Sequence, residues 1–560
     1  MKRIFTFIWG TAITVAAAAQ DWQDARFFTE NNYLGTARTL GMGNAVTAVG
    51  GDPGTLTFNP AGAAVAAYSQ IVISPGFTLS TTRATGVVAP GNSSAIGLGD
   101  AVSTPYARFS FPNAGVIFSI DSGRRSGWKR TSFGFVVNAT NNYTGRVIGS
   151  GINEDNSYAA GRATSAEGYT ETVLGSESWW YDGNDPARTP YWVDMVGYRS
   201  GMFNGIPGKE GSYQAITEVR DASGNCWLAA PLKQQYGRQT SGYKHDFLFN
   251  FAANYDDRLY LGVNLGIATI NYGLSEYFQE MPANVDDFPT IEYTDGTGGR
   301  FTSLQMKRNY NLRGTGVFAK FGLLWRPVSG LRLGAAIQTP TLTNFTARQA
   351  FSGEVRLSGK TLTPSTSPED SWSFAMMQPL RFNVGAAYSF GSVALLSADY
   401  EFVNYRSIRY RGYRATTIPA YLEDANTDIK DALGVSHQVR LGLEVKPTPA
   451  LSLRAGYNLV TYGQRNWLEE NWTVTPLTGK EKWSLARHFA SLGVGYAFGA
   501  FFLDAAVRMR TVPTEYVVPY NYYTYDSSYL NKYPDPNFLT PELEINSRLF
   551  DFILTAGWRF

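Results

Sequence analysis

The sequence predicts an all-β fold, a transmembrane antiparallel β-barrel of about fourteen strands with an N-terminal hatch, or plug, inside its lumen. Three observations support this prediction. Apolar residues alternate with small or polar residues over ten or more positions at a time, as in strands with one oily face. The links between these segments are alternately short and long. The chain of 560 residues is rich in glycine (57 residues) and aromatics (14%) but contains only 17% charged residues.

The first nineteen residues are predicted to be a secretory signal peptide. Lys2 and Arg3 precede an apolar stretch that ends in the small residues 17–19. The apolar part is shorter than the roughly 20 residues that a membrane-spanning helix needs. The leader predicts export, and with the strand pattern it predicts a multi-pass barrel in the bacterial outer membrane.

Residues 20–69 are predicted to form the hatch, and residues 70–560 the barrel with its long extracellular loops. The stretch 35–61 is dense in glycine and other small residues and has neither strand alternation nor a helical face. Glycine accepts backbone angles that other residues avoid, which suits a segment folded back on itself in a confined space. An ordinary glycine-rich loop is the alternative for this stretch taken alone.

The barrel segments are clearest at 258–272, where leucine, valine and isoleucine alternate with glycine, asparagine and alanine. The short links are predicted on the periplasmic side and the long ones outside. The last segment ends at Phe560, in register with other apolar residues, and resembles the sorting signal that the barrel-assembly machinery reads. The predicted strands are 70–79, 107–120, 131–142, 245–255, 258–272, 309–326, 331–342, 378–390, 393–404, 435–445, 451–460, 487–498, 501–511 and 547–560.

The N-terminal motifs carry a family resemblance. Together with the predicted barrel, they are similar to the hatch of the FadL/TodX-type (OmpP1-like) transporters of long-chain fatty acids and hydrophobic compounds. The resemblance implies passive uptake through capture by the loops, an apolar pocket and hatch-gated release, with sideways exit at a kinked early strand. The loop 143–244 is longer than the family usually carries. The hatch residues that match are Gly41, Gly43, Asn44, Asp52, Phe58, Asn59, Pro60 and Ala61.

The ligand-binding candidates are apolar residues near the barrel mouth and hatch, and lumenal arginines for a head group. They are Phe58, Trp179, Trp180, Phe374, Met376, Arg440 and Arg454. Trp179 and Trp180 belong to a loop cluster with Tyr191, Trp192 and Met195 that captures ligand, packs as a folded lid or forms an interfacial belt. Phe374 and Met376 line a pocket or face lipid.

Two further expectations concern the route of a ligand. The lumenal glycines Gly262, Gly266, Gly316, Gly322 and Gly493 are expected to leave volume for a ligand beside the hatch near Phe58. An exit is expected beside the third strand, where Asn138, Asn141 and Asn142 interrupt an oily segment.

The leading function is passive transport of hydrophobic compounds, fatty-acid-like or aromatic, and the protein is not predicted to be an enzyme. One alternative is a barrel subunit or anchor of a secretion or surface-assembly machine, with a protein partner at the long second loop. Others are a haem receptor, although His245, His437 and His488 show no axial spacing, and a general porin. No catalytic residue, metal or cofactor is predicted, and a net charge of +2 without a basic block disfavours nucleic acid. The expected partners are a hydrophobic small molecule, outer-membrane lipids and the assembly machinery.

Overall fold

Fourteen antiparallel strands close into one barrel around an N-terminal plug, which confirms the predicted fold class. The computed structural model describes residues 21–88, 95–177, 190–221, 224–292, 298–413, 420–468, 474–522 and 540–560. The predicted leader, residues 1–19, lies outside these ranges. The barrel begins with a strand at Gln70.

The wall strands are numbered in chain order, and three of them have an interrupted outer half. They are β1 (Gln70–Gly86), β2 (Val102–Asp121), β3 (Trp128–Asn142, continued by Gly145–Asn153), β4 (Leu232–Tyr255), β5 (Leu259–Pro282), β6 (Gly298–Val328), β7 (Leu331–Gln338, continued by Thr341–Leu357), β8 (Asp370–Gln378, then Arg381–Phe390), β9 (Ala394–Asn404), β10 (Val435–Val445), β11 (Leu451–Val460), β12 (Arg487–Phe498), β13 (Phe501–Thr511) and β14 (Leu543–Arg559).

The barrel closes between its first and last strands. The register of this seam runs from Gln70 opposite Arg559 to Gly86 opposite Leu543. Between consecutive wall strands, short and long links alternate around the ring, as predicted. The short links include a turn at Asp256 and Asp257, both of which have positive φ angles of 53° and 54°. All long loops therefore lie on the side opposite the chain's C-terminus.

Several strands extend further outward than the sequence pattern predicted. The strand predicted at 309–326 spans Gly298–Val328, a length of 31 residues. Its outer half presents Asn309 and Arg313 on the outward face, where its inner half presents Val317 and Phe321. Above the membrane both faces of a strand are polar, so the alternation that identifies a strand in the sequence fades.

The outer face of the barrel is apolar and its lumen is polar. Outward-facing Leu265 is 64% exposed and Phe321 is 52% exposed, while inward-facing Asn264 and Arg440 are fully buried. Aromatic residues, among them Trp128, Trp325, Tyr388, Phe501 and Trp558, mark the edge near the short links. This is the pattern of a barrel surrounded by lipid.

The plug fills the lumen with short elements joined by turns. It contains helix α1 (Trp22–Thr29), helix α2 (Ala37–Gly41) and two 3-10 turns, Pro53–Thr57 and Pro60–Val65. Helix α2 contacts β12 and β13, and the second 3-10 turn contacts β4, β5 and β6. The plug therefore touches opposite sides of the wall.

The long loops carry the remaining elements. The helices are α3 (Tyr158–Ser165), α4 (Glu171–Leu174), α5 (Trp192–Arg199), α6 (Ala420–Ala432) and α7 (Gly479–Ser484). Loop strands are Phe203–Ile206, Lys209–Ala215, Glu218–Arg220, Cys226–Leu228, Thr290–Glu292, Lys360–Thr361, Ser365–Thr366, Arg409–Gly412, Asn466–Leu468, Val474–Pro476 and Glu515–Val517, and two further 3-10 turns are Val285–Asp287 and Tyr405–Ser407. Within the described ranges, no helix is long and apolar enough to cross a membrane.

Candidate functional site

The lumenal glycines make room for the plug and for neighbouring wall side chains. This corrects the expectation that they leave volume for a ligand. A Cβ on Gly322 would lie 2.1 Å from the Asn59 Oδ1 atom, and one on Gly262 would lie 2.4 Å from the Ala61 nitrogen. For Gly493 the nearest atom would be the Cα of Gly41 in the plug; for Gly266 and Gly316, wall side chains, the Phe318 ring and the Thr343 hydroxyl, would be nearest.

The triplet Asn59-Pro60-Ala61 forms a turn pressed against the wall. The Asn59 carboxamide accepts a hydrogen bond from the Ala61 N–H at 3.0 Å and so caps the 3-10 turn. Its amide group donates to the carbonyls of Thr47 in the plug and Leu323 in the wall, at 2.8 Å and 3.0 Å. One side chain thus ties together two plug segments and β6.

The other hatch residues serve the fold of the plug. The Asp52 carboxylate accepts hydrogen bonds from the Gly54 N–H at 2.8 Å and from the Thr36 hydroxyl at 2.9 Å. Asn44 has a positive φ of 61° and donates to the Tyr33 carbonyl at 3.0 Å.

Buried ion pairs connect the plug to the wall. Glu444 on β10 accepts from Arg38 of the plug at 3.0 Å and from Arg454 on β11 at 2.7 Å. Arg454 also binds Asp504 on β13 at 2.7 Å. The second lumenal candidate, Arg440, is fully buried and pairs with Glu401. Both predicted head-group arginines are therefore already neutralised by wall carboxylates.

The apolar candidates occupy different places. Phe58 is buried in the plug, 4.8 Å from the Tyr33 ring, with the Arg440 guanidinium 4.9 Å above its own ring. Phe374 and Met376 face the lumen in a cluster that also contains Phe345 and the α1 residue Phe28. Trp179 and Trp180 lie outside the described residues. The ligand-binding role of all seven candidates stays a prediction.

Two adjoining cavities lie on the outer side of the plug. The first has a volume of about 190 Å³ and reaches from α1 to the loop after β13, and the second has a volume of about 200 Å³ and reaches to β1 and β4. They share six lining residues: Phe27, Asn142, Tyr143, Arg510, Val512 and Glu515. We call this pair the outer cavities.

Two more cavities open near the short links, below the plug. They are lined by Arg38, Glu444 and Lys446, among other residues. No residue lines both one of these cavities and one of the outer cavities. The body of the plug lies between the two pairs.

The wall has an unpaired region between β2 and β3. Their ladder stops at Asn113 opposite Asn138, and the outer continuation of β3 pairs with β4 alone among the described strands. Further out, a single bridge joins Asp100 to Ser150. We call the region between these two pairs the window.

The asparagines near the third strand frame this window and touch the plug. Asn138 donates to the Thr57 hydroxyl at 2.7 Å, and Asn141 donates to the Glu30 carbonyl at 3.3 Å. A bulge between Ala139 and Asn141 and the break at 143–144 turn the strand away from its neighbour. The second outer cavity includes this break in its lining.

Part of the long second loop folds over the barrel mouth. Trp192 is 5% exposed and Met195 is fully buried, in one cluster with Phe278 and Tyr520. Arg162 of α3 and Asp194 of α5 form a buried ion pair at 3.1 Å. For these residues the folded-lid alternative holds, while Tyr191 is 39% exposed.

The three histidines stand on the outward face of the wall, each beside a tyrosine. The ring centroids are 5.6 Å apart for Tyr243 and His245, 5.9 Å for Tyr400 and His437, and 6.2 Å for Tyr457 and His488. None of them points into the lumen. Among the described residues, no cluster of three or more His, Cys, Asp or Glu side chains is able to hold a metal ion.

The outer cavities depend on residues that the sequence did not single out, chiefly Phe27, Tyr143 and Arg510. Arg508 and Arg510 fall on the lumenal face of β13, and one acid, Asp551, faces Arg508 on β14. Two inward cations with one carboxylate between them was the signal available in the sequence.

The closed wall, the oily exterior and the internal plug define the class of protein. It is a plugged β-barrel of the bacterial outer membrane. No family model matches the sequence, and no curated protein matches it.

Solved structures of similar architecture are known. A Pseudomonas aeruginosa FadL homologue is 13% identical, with 95% of this chain and 99% of that chain covered and a TM-score of 0.49. The Ralstonia pickettii toluene transporter TbuX is 13% identical, with 95% and 100% covered and a TM-score of 0.44. The Pseudomonas putida toluene transporter TodX is 10% identical, with the same coverage and a TM-score of 0.44. These are proteins of the type that the N-terminal motifs resemble.

Proposed function

We propose that the protein carries hydrophobic compounds passively across the outer membrane. The observation that carries the proposal is the position of the outer cavities, above the plug and directly behind the break in β3. Burial of apolar surface contributes roughly 25 cal/mol per Å². Cavities walled by Phe27, Tyr143 and Val512 therefore favour an oily solute over water.

The proposed route enters among the outer loops, passes the outer cavities and leaves sideways through the window. A hydrophobic solute gains nothing from an aqueous path to the periplasm, and the plug stands between the upper and lower cavities. The bilayer beside the window is the phase that such a solute prefers.

The plug is placed to control this route. Asn138 and Asn141, at the inner edge of the window, both hold plug atoms. A shift of the plug between Glu30 and Thr57 would therefore change the edge of the window as well. This supports hatch-gated release, with the hatch and wall moving together.

Uptake of radiolabelled toluene and dodecanoate by cells with and without the protein tests the proposal. Gly145 lines the second outer cavity at the break in β3, so Gly145→Phe should narrow the route and reduce uptake severalfold. Gly273→Phe, on the outward side of β5, is the matched control and should leave uptake unchanged. Equal uptake with and without the protein, together with a stable co-purifying protein bound to the long second loop, would favour the docking-subunit alternative.

A further inference from the structure

Arg510 on β13 is a buried cation whose charge no described acid takes up. Its side chain belongs to a residue that is 7% exposed, and its buried Nε atom has no hydrogen-bond partner. Among the described residues it forms no ion pair. Arg510 lines both outer cavities and so stands where they join.

The acids around Arg510 are engaged by other arginines. Asp551 accepts from the Nε and Nη2 atoms of Arg508 at 3.1 Å and 2.7 Å. Glu515 accepts from Arg238 at 2.5 Å and 2.7 Å.

Glu30, the remaining acid of the cavity lining, is shared between Arg487 at 2.9 Å and Arg26. The outer cavities therefore hold an excess of positive charge. Five arginines but only two glutamates line them: Arg26, Arg146, Arg238, Arg487 and Arg510 against Glu30 and Glu515. A buried guanidinium without a counter-ion is costly, and an anion supplied by a ligand would remove that cost.

The walls beside Arg510 are aromatic and of limited size. The rings of Phe27, Tyr143 and Tyr272 meet one another at centroid distances of 5.1 Å, 5.7 Å and 5.6 Å. The cavity volumes of about 190 Å³ and 200 Å³ each exceed the roughly 150 Å³ of a cavity that accepts benzene. The Ser80 hydroxyl, also buried without a partner, lines the second cavity and offers a donor.

We propose that the outer cavities bind an arylalkyl carboxylate, with Arg510 as the residue that selects the ionised acid over its neutral counterpart. The guanidinium donates to the carboxylate in the paired geometry that arginine favours. The aromatic ring of the ligand packs against Phe27 and Tyr143. This inference rests on the proposed transport function and names the cargo of the same site.

Calorimetric titration of the full barrel in detergent, at pH 7.5, compares 3-phenylpropanoate with 3-phenylpropan-1-ol, which share one carbon skeleton. Arg510→Met should weaken binding of the acid by about tenfold or more and leave binding of the alcohol unchanged. Arg510→Lys keeps the charge without the paired geometry and should give an intermediate loss. Arg313→Met, on the outward face of β6, is the matched control and should alter neither affinity.

Retained acid binding in Arg510→Met would overturn the proposal. If that variant does not fold, an Arg510→Lys protein with wild-type preference for the acid would overturn it equally. Dodecanoate binding more tightly than 3-phenylpropanoate would overturn the aromatic, ring-sized cargo. A wild-type protein that binds neither compound and supports no uptake would instead remove the transport function itself.

Discussion

Gly43 of the plug lies directly against Gly456 of the wall. A Cβ on Gly456 would lie 2.0 Å from the Gly43 nitrogen, and one on Gly43 would lie 2.8 Å from the Tyr457 nitrogen. Gly43 also has a φ of 61°, which side-chain-bearing residues seldom adopt. Backbone meets backbone at this point, so neither residue tolerates even a methyl group without movement.

Gly456→Ala should therefore loosen the plug. Because the methyl group would overlap plug backbone rather than a flexible side chain, we expect displacement of the segment around Gly43 and raised ion conductance in planar bilayers. Gly479→Ala, whose Cβ would meet nothing within 4 Å, is the matched control. Identical single-channel behaviour of the two variants would contradict the fit of plug to wall.

Deletion of residues 35–62 should open the lumen. This segment includes α2 and the Asn59 turn and supplies the contacts with β5, β6 and β10 to β12, so its loss leaves a polar, water-accessible channel. We expect small polar solutes to enter cells that carry the deletion, and conductance to rise well above that of the full chain. A closed barrel after the deletion would show that the loops, rather than the plug, form the barrier.

Glu444→Gln should destabilise the protein strongly. The change leaves Arg38 and Arg454 competing for fewer negative charges in a buried site, where loss of one partner costs about 3–5 kcal/mol. Urea unfolding in lipid vesicles measures the difference. Glu369→Gln breaks the pair with Arg348, in which both side chains are more than half exposed, and should cost less than about 1 kcal/mol. Equal losses would mean that Glu444 is not a junction between plug and wall.

The long second loop should become less stable as the pH rises through neutrality. Burial raises the pKa of Glu218 from its ordinary value of 4.5 to about 7, more than the hydrogen bond from the Ala215 N–H lowers it. Between these two values the folded loop binds more protons than the unfolded loop, so stability is greatest at low pH and falls as the pH approaches 7.

Limited proteolysis of the segment 203–228 checks this expectation. Cleavage should be faster at pH 8 than at pH 5.5 relative to an unstructured peptide with the same cleavage sites. Glu218→Gln carries no titrating proton and should give the same relative rate at both values. A wild-type loop with a flat profile would indicate that Glu218 is solvated in the folded protein.

The sequence was sufficient for the membrane-embedded half of the fold because lipid on one side and a lumen on the other impose a period of two. Leu265 and Asn264 alternate for that reason, and the strand count followed from such segments. The outer extensions of β4, β5 and β6 were missed because neither face meets lipid there. The breaks at Thr339-Pro340 and Pro379-Leu380 interrupt strands whose pattern continues across them.

The site was less predictable, because it depends on which distant residues meet. Gly262 and Gly322 read as empty space in the sequence, yet the space belongs to Pro60 and its neighbours. Arg440 and Arg454 were candidates on the strength of facing the lumen, as Arg510 does. Only the folded barrel reveals that Glu401, Glu444 and Asp504 reach the first two.

Much of the grip on the plug falls on its main chain rather than on its side chains. Arg508 donates to the carbonyl of Tyr33, Asn264 to that of Leu56, Lys320 to that of Thr57 and Asn250 to that of Pro60. A carbonyl is present whatever residue carries it. At these positions the plug is free to change its sequence over evolutionary time while the barrel donors are not, so a history of what the plug must do would be preserved in the wall.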